Sequence, residues 1–133
     1  MRVLTTMESD RRVIAEYWAG DASVVAVLFC AAWCDTCTEF RVALERIAAA
    51  RPDVMFVWLD IEDDSDICGD VDVENFPTLA IFRGGQLLHF GISLPQEATV
   101  ARLIEKFAAH ATPMAVPPAA VMHVALQLRE RRA

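Results

Sequence analysis

SVVAVLFCAAWCDTC, residues 23 to 37, joins two sequence patterns that belong to different kinds of backbone. Its first part, Ser23 to Cys30, is a nearly continuous β-branched and apolar run, the pattern of a strand covered on both faces of a sheet. Two cysteines, Cys34 and Cys37, then follow Trp33 with two residues between them. From Cys34 to about Ala50, Phe40, Leu44 and Ile47 recur on one helical face. Arg41 and Glu45 stand four apart on another face, spaced to pair, and Pro52 stops the helix. The cysteine pair therefore falls at a strand-to-helix junction.

Upstream, Val3 to Thr5 is a short apolar start. SDRRVIAEYW then places Val13, Ile14, Tyr17 and Trp18 at helical spacing behind Ser9 as a cap, with Gly20 closing the helix. Downstream, VMFVWLDI (54 to 61) reads as a second buried strand and DDSDICGDV as an acidic loop with a short helix. TLAIFRG and QLLHFGI are two strands joined through Gly84 and Gly85 in a tight hairpin. PQEATVARLIEKFAAH (95 to 110) is a helix with Pro95 near its first turn and Val100, Leu103, Ile104 and Phe107 facing inward. The order βαβαβαββα predicts an α/β fold, a central mixed sheet flanked by helices, with early strands parallel and the last hairpin antiparallel. Residues 1–110 form this domain. Residues 111–133 are a proline-containing linker, ATPMAVPPA, and a short C-terminal helix or tail. In that tail Val121, Val124 and Leu128 share one side, which suits docking on its own domain better than a dimer contact.

Composition narrows the function. Of the 133 residues 55% are hydrophobic, yet no stretch approaches the roughly 18 uninterrupted apolar residues of a membrane span. A formal net charge of −7 argues against nucleic acid, whose phosphates want a basic face. The N-terminus has no basic region followed by an apolar one, so a cytoplasmic location is expected. In that compartment Cys30, Cys34, Cys37 and Cys68 are better read as catalytic, metal-binding or buried thiols than as structural disulfides.

A structural zinc site usually shows two closely spaced ligand pairs, and only one is present. The alternating acids of DIEDDSD do not make a calcium loop, because Ser65 stands where the turn glycine belongs and Val71 where the bidentate glutamate belongs. They read instead as a solvated acidic loop that favours basic partners. Cys30 and Cys68 read as small buried residues, Cys68 being the better candidate for a regulatory thiol because its flanks are polar. For the pair itself, the first turn of a helix offers free amides and a positive dipole end that stabilise a thiolate at Cys34. Cys37, one turn on, can attack a mixed disulfide formed by Cys34 and release the product.

At this point the chain resembles the thioredoxin family, over about residues 2 to 110. The resemblance rests on WCDTC behind a buried strand, FPT (76 to 78) ahead of another, the hairpin FRGGQ, and Gly91 at the end of the final strand. It implies a thioredoxin-like fold and a thiol-disulfide oxidoreductase, specifically a protein-disulfide reductase, with Cys34 as nucleophile and Cys37 as resolving thiol in one redox disulfide. It also implies Pro77 in cis, and a client groove built from Trp33, Asp35, Thr36, Phe76, Pro77, Gly91 and Ile92. No cofactor or metal is required. The partners implied are protein disulfides and a thioredoxin reductase or other thiol donor. The competing reading is a thioredoxin-like binding module with regulatory or vestigial cysteines.

The sequence departs from the family at several places. Asp35-Thr36 replaces the usual glycine and proline, and a carboxylate beside Cys34 should oppose its thiolate. Leu28 and Trp58 stand where a buried carboxylate and its lysine are typical, so proton transfer at Cys37 must use water or another group. Val42 replaces the proline that usually bends the active-site helix.

Overall fold

The computed structural model describes residues 2–73, 75, 77–110 and 112–130. In chain order its elements are β1 (Val3–Leu4), α1 (Glu8–Tyr17), β2 (Val24–Cys30), α2 (Asp35–Ala50), β3 (Val54–Asp60), α3 (Ser65–Cys68), β4 (Thr78–Arg83), β5 (Gln86–Ile92), α4 (Glu97–Ala109) and α5 (Ala119–Glu130). The sheet runs β1-β3-β2-β4-β5. β2 pairs parallel with β3 and antiparallel with β4, and β4 pairs antiparallel with β5.

Every residue of β2 is buried, because helices cover both faces of the sheet. Val25, Val27 and Phe29 pack toward α1, α3 and α5 with Trp18, Phe82 and Ile67. The alternate residues Ala26 and Leu28 pack toward α2 and α4 with Phe40, Leu44, Val100 and Ile104. That two-sided burial is why the segment lacks the alternation of a half-exposed strand. No described helix is long and apolar enough to cross a membrane.

The N-terminal helix starts differently from the expected Ser9 cap. Ser9 lies inside α1, and Met7 occupies the cap position without a side-chain bond. The buried polar contact belongs to Asp10, whose carboxylate accepts from the Thr5 N–H at 2.9 Å and from the Arg2 guanidinium at 3.0 Å. Chain reversal after β1 brings Arg2 and Thr5 back over the helix. Val13 is 42% exposed while Ile14 and Trp18 are fully buried, which narrows the apolar stripe. The backbone turns after Trp18, and among the described residues positive φ is reserved for Gly69 and Gly84. At Gly84 the hairpin carbonyl accepts from Trp18 Nε1–H at 2.7 Å, and a Cβ would be driven into the Asp21 carbonyl.

The C-terminal segment is part of the packed body. Met114 N–H donates to the Leu87 carbonyl at 2.9 Å, laying the linker along β5. α5 then sets Val121, Val124, Ala125 and Leu128 into the same core as Trp18 and Phe82, and Arg129 Nε–H donates to the Trp18 carbonyl at 3.2 Å.

Two substitutions test these packing statements. Leu128→Ala should cost about 2–5 kcal/mol of unfolding free energy, the usual range for deleting a buried leucine side chain, while leaving Cys34 alkylation unchanged. Gly84→Ala should cost about 2 kcal/mol or more, since it combines a disfavoured backbone conformation with a backbone clash. Denaturant titration reads both.

Candidate active site

Three strand ends meet at one edge of the sheet and build the site. Phe29 near the end of β2 is in register with Thr78 at the start of β4, and Thr78 with Ile92 at the end of β5. Pro77, one residue before Thr78, therefore comes level with Cys30; it is buried, and its carbonyl accepts from the Ser93 N–H at 3.0 Å.

From Cys30 the chain turns through Ala31–Trp33 into α2. The Cys34 N–H donates to the Ala31 carbonyl at 3.0 Å, and the Thr38 N–H donates to the Cys34 carbonyl at 3.1 Å. Cys34 is the helix cap, with extended backbone, and its Sγ accepts from the Cys37 N–H at 3.4 Å. A sulfur thus fills the position that serine or aspartate oxygen usually fills, satisfying one of the helix's free amides. α2 runs unbroken through Val42, which is 61% exposed.

The expected site residues divide by burial. Cys34 is partly exposed and Cys37 fully buried beneath it. Asp35 and Thr36 are exposed on the first turn, and Gly91 is partly covered. Trp33 and Ile92 are 63% and 59% exposed, large apolar surfaces at the same edge. The Trp33 ring is held by its Nε1–H, which donates to Glu62 Oε1 at 2.7 Å. Phe76 lies outside the described residues.

The polar partners missing from the sequence are missing from the fold in the same place. Leu28 and Trp58 face each other in register across β2 and β3, and Leu28 is fully buried. Arg41 does not pair with Glu45. Its guanidinium lies over the Trp58 ring, 4.8 Å from the centroid, while Glu45 accepts from the Val3 N–H at 2.6 Å. Beside the pair opens a cleft of about 420 Å³, lined among others by Ala31, Thr38, Trp58 and Asp60.

The sulfurs do not titrate as the helix dipole alone predicts. Cys34 is pushed up from the ordinary thiol value, chiefly by burial, with the exposed Asp35 playing no leading part; the Cys37 N–H opposes the rise. Cys37 is drawn down to about 7, first by a hydrogen bond from the Cys30 thiol and then by one from Cys34, against the cost of its burial. The direction at Cys34 runs against the helix-stabilised thiolate expected there, while Cys37 is drawn the other way. A shared charge of this kind belongs to the group rather than to one residue.

Cys30 is the member that the sequence pattern hid, since a cysteine inside an apolar strand looks like core. Its position two after Leu28, on the face turned toward α2, was the available signal. Cys68 is buried at the end of α3, as its reading as a small buried residue expects, and burial with the nearby Asp64 pushes its thiol up to about 12. The acidic loop is also more structured than a solvated run. Asp64 accepts from the Thr6 hydroxyl at 2.6 Å and the Asp60 N–H at 2.8 Å, and Asp60 accepts from the N–H groups of Glu62 and Asp63 at 2.8 and 2.9 Å.

Comparison with known proteins agrees with this geometry. The thioredoxin family model matches residues 5–107. Thioredoxin-2 of Saccharomyces cerevisiae is 31% identical over 84 residues, covering 63% of this chain and 80% of the yeast protein. The thioredoxin of Ophiophagus hannah is 27% identical over 75 residues, 56% of this chain and 71% of its own. Among solved structures, Fasciola hepatica thioredoxin superposes with a TM-score of 0.63 at 22% identity, covering 80% of this chain and 98% of that one. Oxidised Plasmodium falciparum thioredoxin gives 0.62 at 19% identity over 80% and 98%. These structural likenesses speak to the fold, and the family match to the chemistry that the cysteine pair performs. The chain belongs to the thioredoxin family and is a thiol-disulfide oxidoreductase.

Proposed function

We propose that the protein is a protein-disulfide reductase in which Cys34 is the nucleophile and Cys37 the resolving thiol. The observation that carries this reading is the difference in access: Cys34 is the one cysteine of the four with its side chain partly exposed, and Cys37 sits buried one helical turn away, in hydrogen-bonding contact with it.

The cycle follows from that arrangement. A proton passes from Cys34 to Cys37 along their hydrogen bond, leaving a Cys34 thiolate at the surface. Its sulfur attacks one sulfur of a client disulfide; the client's other sulfur leaves as a thiolate and takes the proton that Cys37 holds. Cys37, deprotonated again, attacks Cys34 Sγ in the mixed disulfide, the second client sulfur leaves, and Cys34 and Cys37 are joined. Two electrons have then passed to the client. A dithiol donor, a thioredoxin reductase or an equivalent protein, restores the pair, so no cofactor enters the exchange.

Trp33, Asp35, Thr36, Pro77, Gly91 and Ile92 make the client groove in this reading. The exposed carboxylates of Asp35, Glu62 and Asp63 give its rim a negative potential that favours client segments carrying lysine or arginine, a preference that salt weakens. A reducing compartment such as the cytoplasm suits a dithiol that must be returned to its reduced form after each exchange.

Cys37→Ser should strand clients on Cys34 as mixed disulfides, detected by non-reducing electrophoresis and mass mapping, and Cys34→Ser should strand none. Equal trapping by both variants would overturn the assignment of roles. Because Cys37 is drawn down to about 7, its thiolate is present above that pH and lost below it. Single-turnover reduction of a peptide disulfide should therefore fall away as pH drops through about 7.

Gly91→Ala separates fold from groove. A Cβ there would touch only the His89 ring, at 3.8 Å, an ordinary contact. The variant should melt like the parent yet reduce protein disulfides more slowly, while a small-molecule disulfide is reduced at an unchanged rate.

A further inference from the structure

A pocket that the exchange cycle leaves unused shares Gly91 and Ile92 with the client groove. It holds about 370 Å³ and is lined by Asp72, Thr78, Phe90, Gly91 and Ile92. Phe90 and Ile92 are alternate residues of β5 and so share one face of the strand. Phe90 is half-buried, edge to face with Phe29 at 6.2 Å between ring centroids, while Ile92 is 59% exposed. Thr78, in register with Ile92, is buried, and its hydroxyl already donates to the Asn75 carbonyl at 2.7 Å. The walls are therefore apolar or satisfied, and Asp72 is the one charged group among the lining residues.

The chain on either side holds Asp72 in place. Val71 and Val73 pack against the core cluster that contains Phe29, and the Val71 N–H donates to the Cys68 carbonyl at 3.1 Å. Asp72 between the two valines is exposed. None of the ion pairs among the described residues includes it. Its own stretch of chain offers no cation either, since residues 52–82 contain nine aspartates and glutamates and no lysine, arginine or histidine.

Apolar walls with a carboxylate at one side select a particular kind of side chain. Lysine and arginine lay a long apolar stem along such a surface while the charged end stays in water. Phe90 and Ile92 suit the stem, and Asp72 suits the charge. A leucine or methionine would fill the walls and leave the carboxylate unpaired, and a glutamate would be repelled by it. The pocket adjoins the groove in which the client disulfide is attacked, so a side chain that enters it stands only a few residues from the client cysteine.

We propose that this pocket is a client subsite for one lysine or arginine side chain near the client's disulfide cysteine, its stem on Phe90 and Ile92 and its charge at Asp72. The inference rests on the disulfide-reductase reading given above and names the client class it serves. The rim carboxylates Asp35, Glu62 and Asp63 attract positive charge in general, whereas a walled pocket reads the position and length of one side chain.

The test uses short extended peptides with serine in place of the client cysteine, so that no sulfur exchange enters. Lysine is moved along the peptide one position at a time, and binding to the reduced protein is followed by amide shifts in NMR. At one preferred position lysine should bind about threefold tighter than norleucine, which keeps the stem without the charge; that is the scale of an exposed ion pair. The amides of Asp72, Phe90 and Ile92 should shift with it. Diaminopropionate, a charge on a short stem, should bind no better than norleucine. Asp72→Asn should remove the lysine advantage, and Asp63→Asn should leave it. An advantage that is absent, equal at every position, kept by diaminopropionate or lost equally in Asp63→Asn would overturn the proposal. With cysteine disulfides restored in the peptides, kcat/KM should follow the binding order. An effect of Asp72→Asn confined to re-reduction of the protein by a thioredoxin reductase would assign the pocket to the donor and overturn the client subsite. Because the peptide titration needs no exchange chemistry, the lysine preference can be absent while Cys37→Ser traps clients, or present while trapping fails, so the two readings fall separately.

Discussion

A central strand with both faces covered and neighbours on both sides can stop only where its backbone finds new hydrogen-bond partners. β2 is in this position, between β3 and β4 and between two helical layers. Its last carbonyl, on Cys30, accepts from the Ile61 N–H at 2.9 Å, and the carbonyl of Ala31 accepts from Cys34. The turn that closes β2 is thus the turn that starts α2, and both reactive cysteines hang from it. Pro77 and Ile92 reach the same edge because β4 and β5 are held in register with β2. The site inherits its rigidity from the best-protected part of the sheet, which suits a reaction that needs two sulfurs brought into line.

That construction brings the two sulfurs of the pair into one helical turn, with the amide of Cys37 capping against the Cys34 sulfur. Burial would by itself keep every thiol protonated. Convergent donors reverse this for one sulfur and reinforce it for its neighbours, so the position of the proton, rather than the intrinsic acidity of any one residue, decides which sulfur attacks.

The opposite face of the sheet carries no chemistry, but it sets the frame. Trp18 binds the hairpin carbonyl of Gly84, and α5 seals Trp18, Phe82 and Leu87 from solvent. The relatives' shared region ends near residue 107, so this helix lies beyond the family's matched extent and still contributes core side chains. Its marginal length for a free helix is offset by one buried face, the usual way a short helix is held in a folded protein.

Local pattern alone determined the order of strands and helices, the hairpin at Gly84 and Gly85, and the cysteine pair at the head of α2. Those features repeat with short periods or lie within a few residues of one another, and backbone geometry translates them directly. The resemblance carried by WCDTC, FPT and Gly91 added the family. Contacts between distant segments were decided only by the tertiary structure: Arg41 over Trp58 instead of beside Glu45, Asp10 rather than Ser9 as the polar anchor of α1, Asp64 bonded to Thr6, Cys68 sealed in the core. Cys30 shows the reason most clearly. Its residue type and its strand were plain in the sequence, but hydrogen bonding and charge depend on distances of a few ångströms between segments, and those exist only once β2 and α2 are packed together.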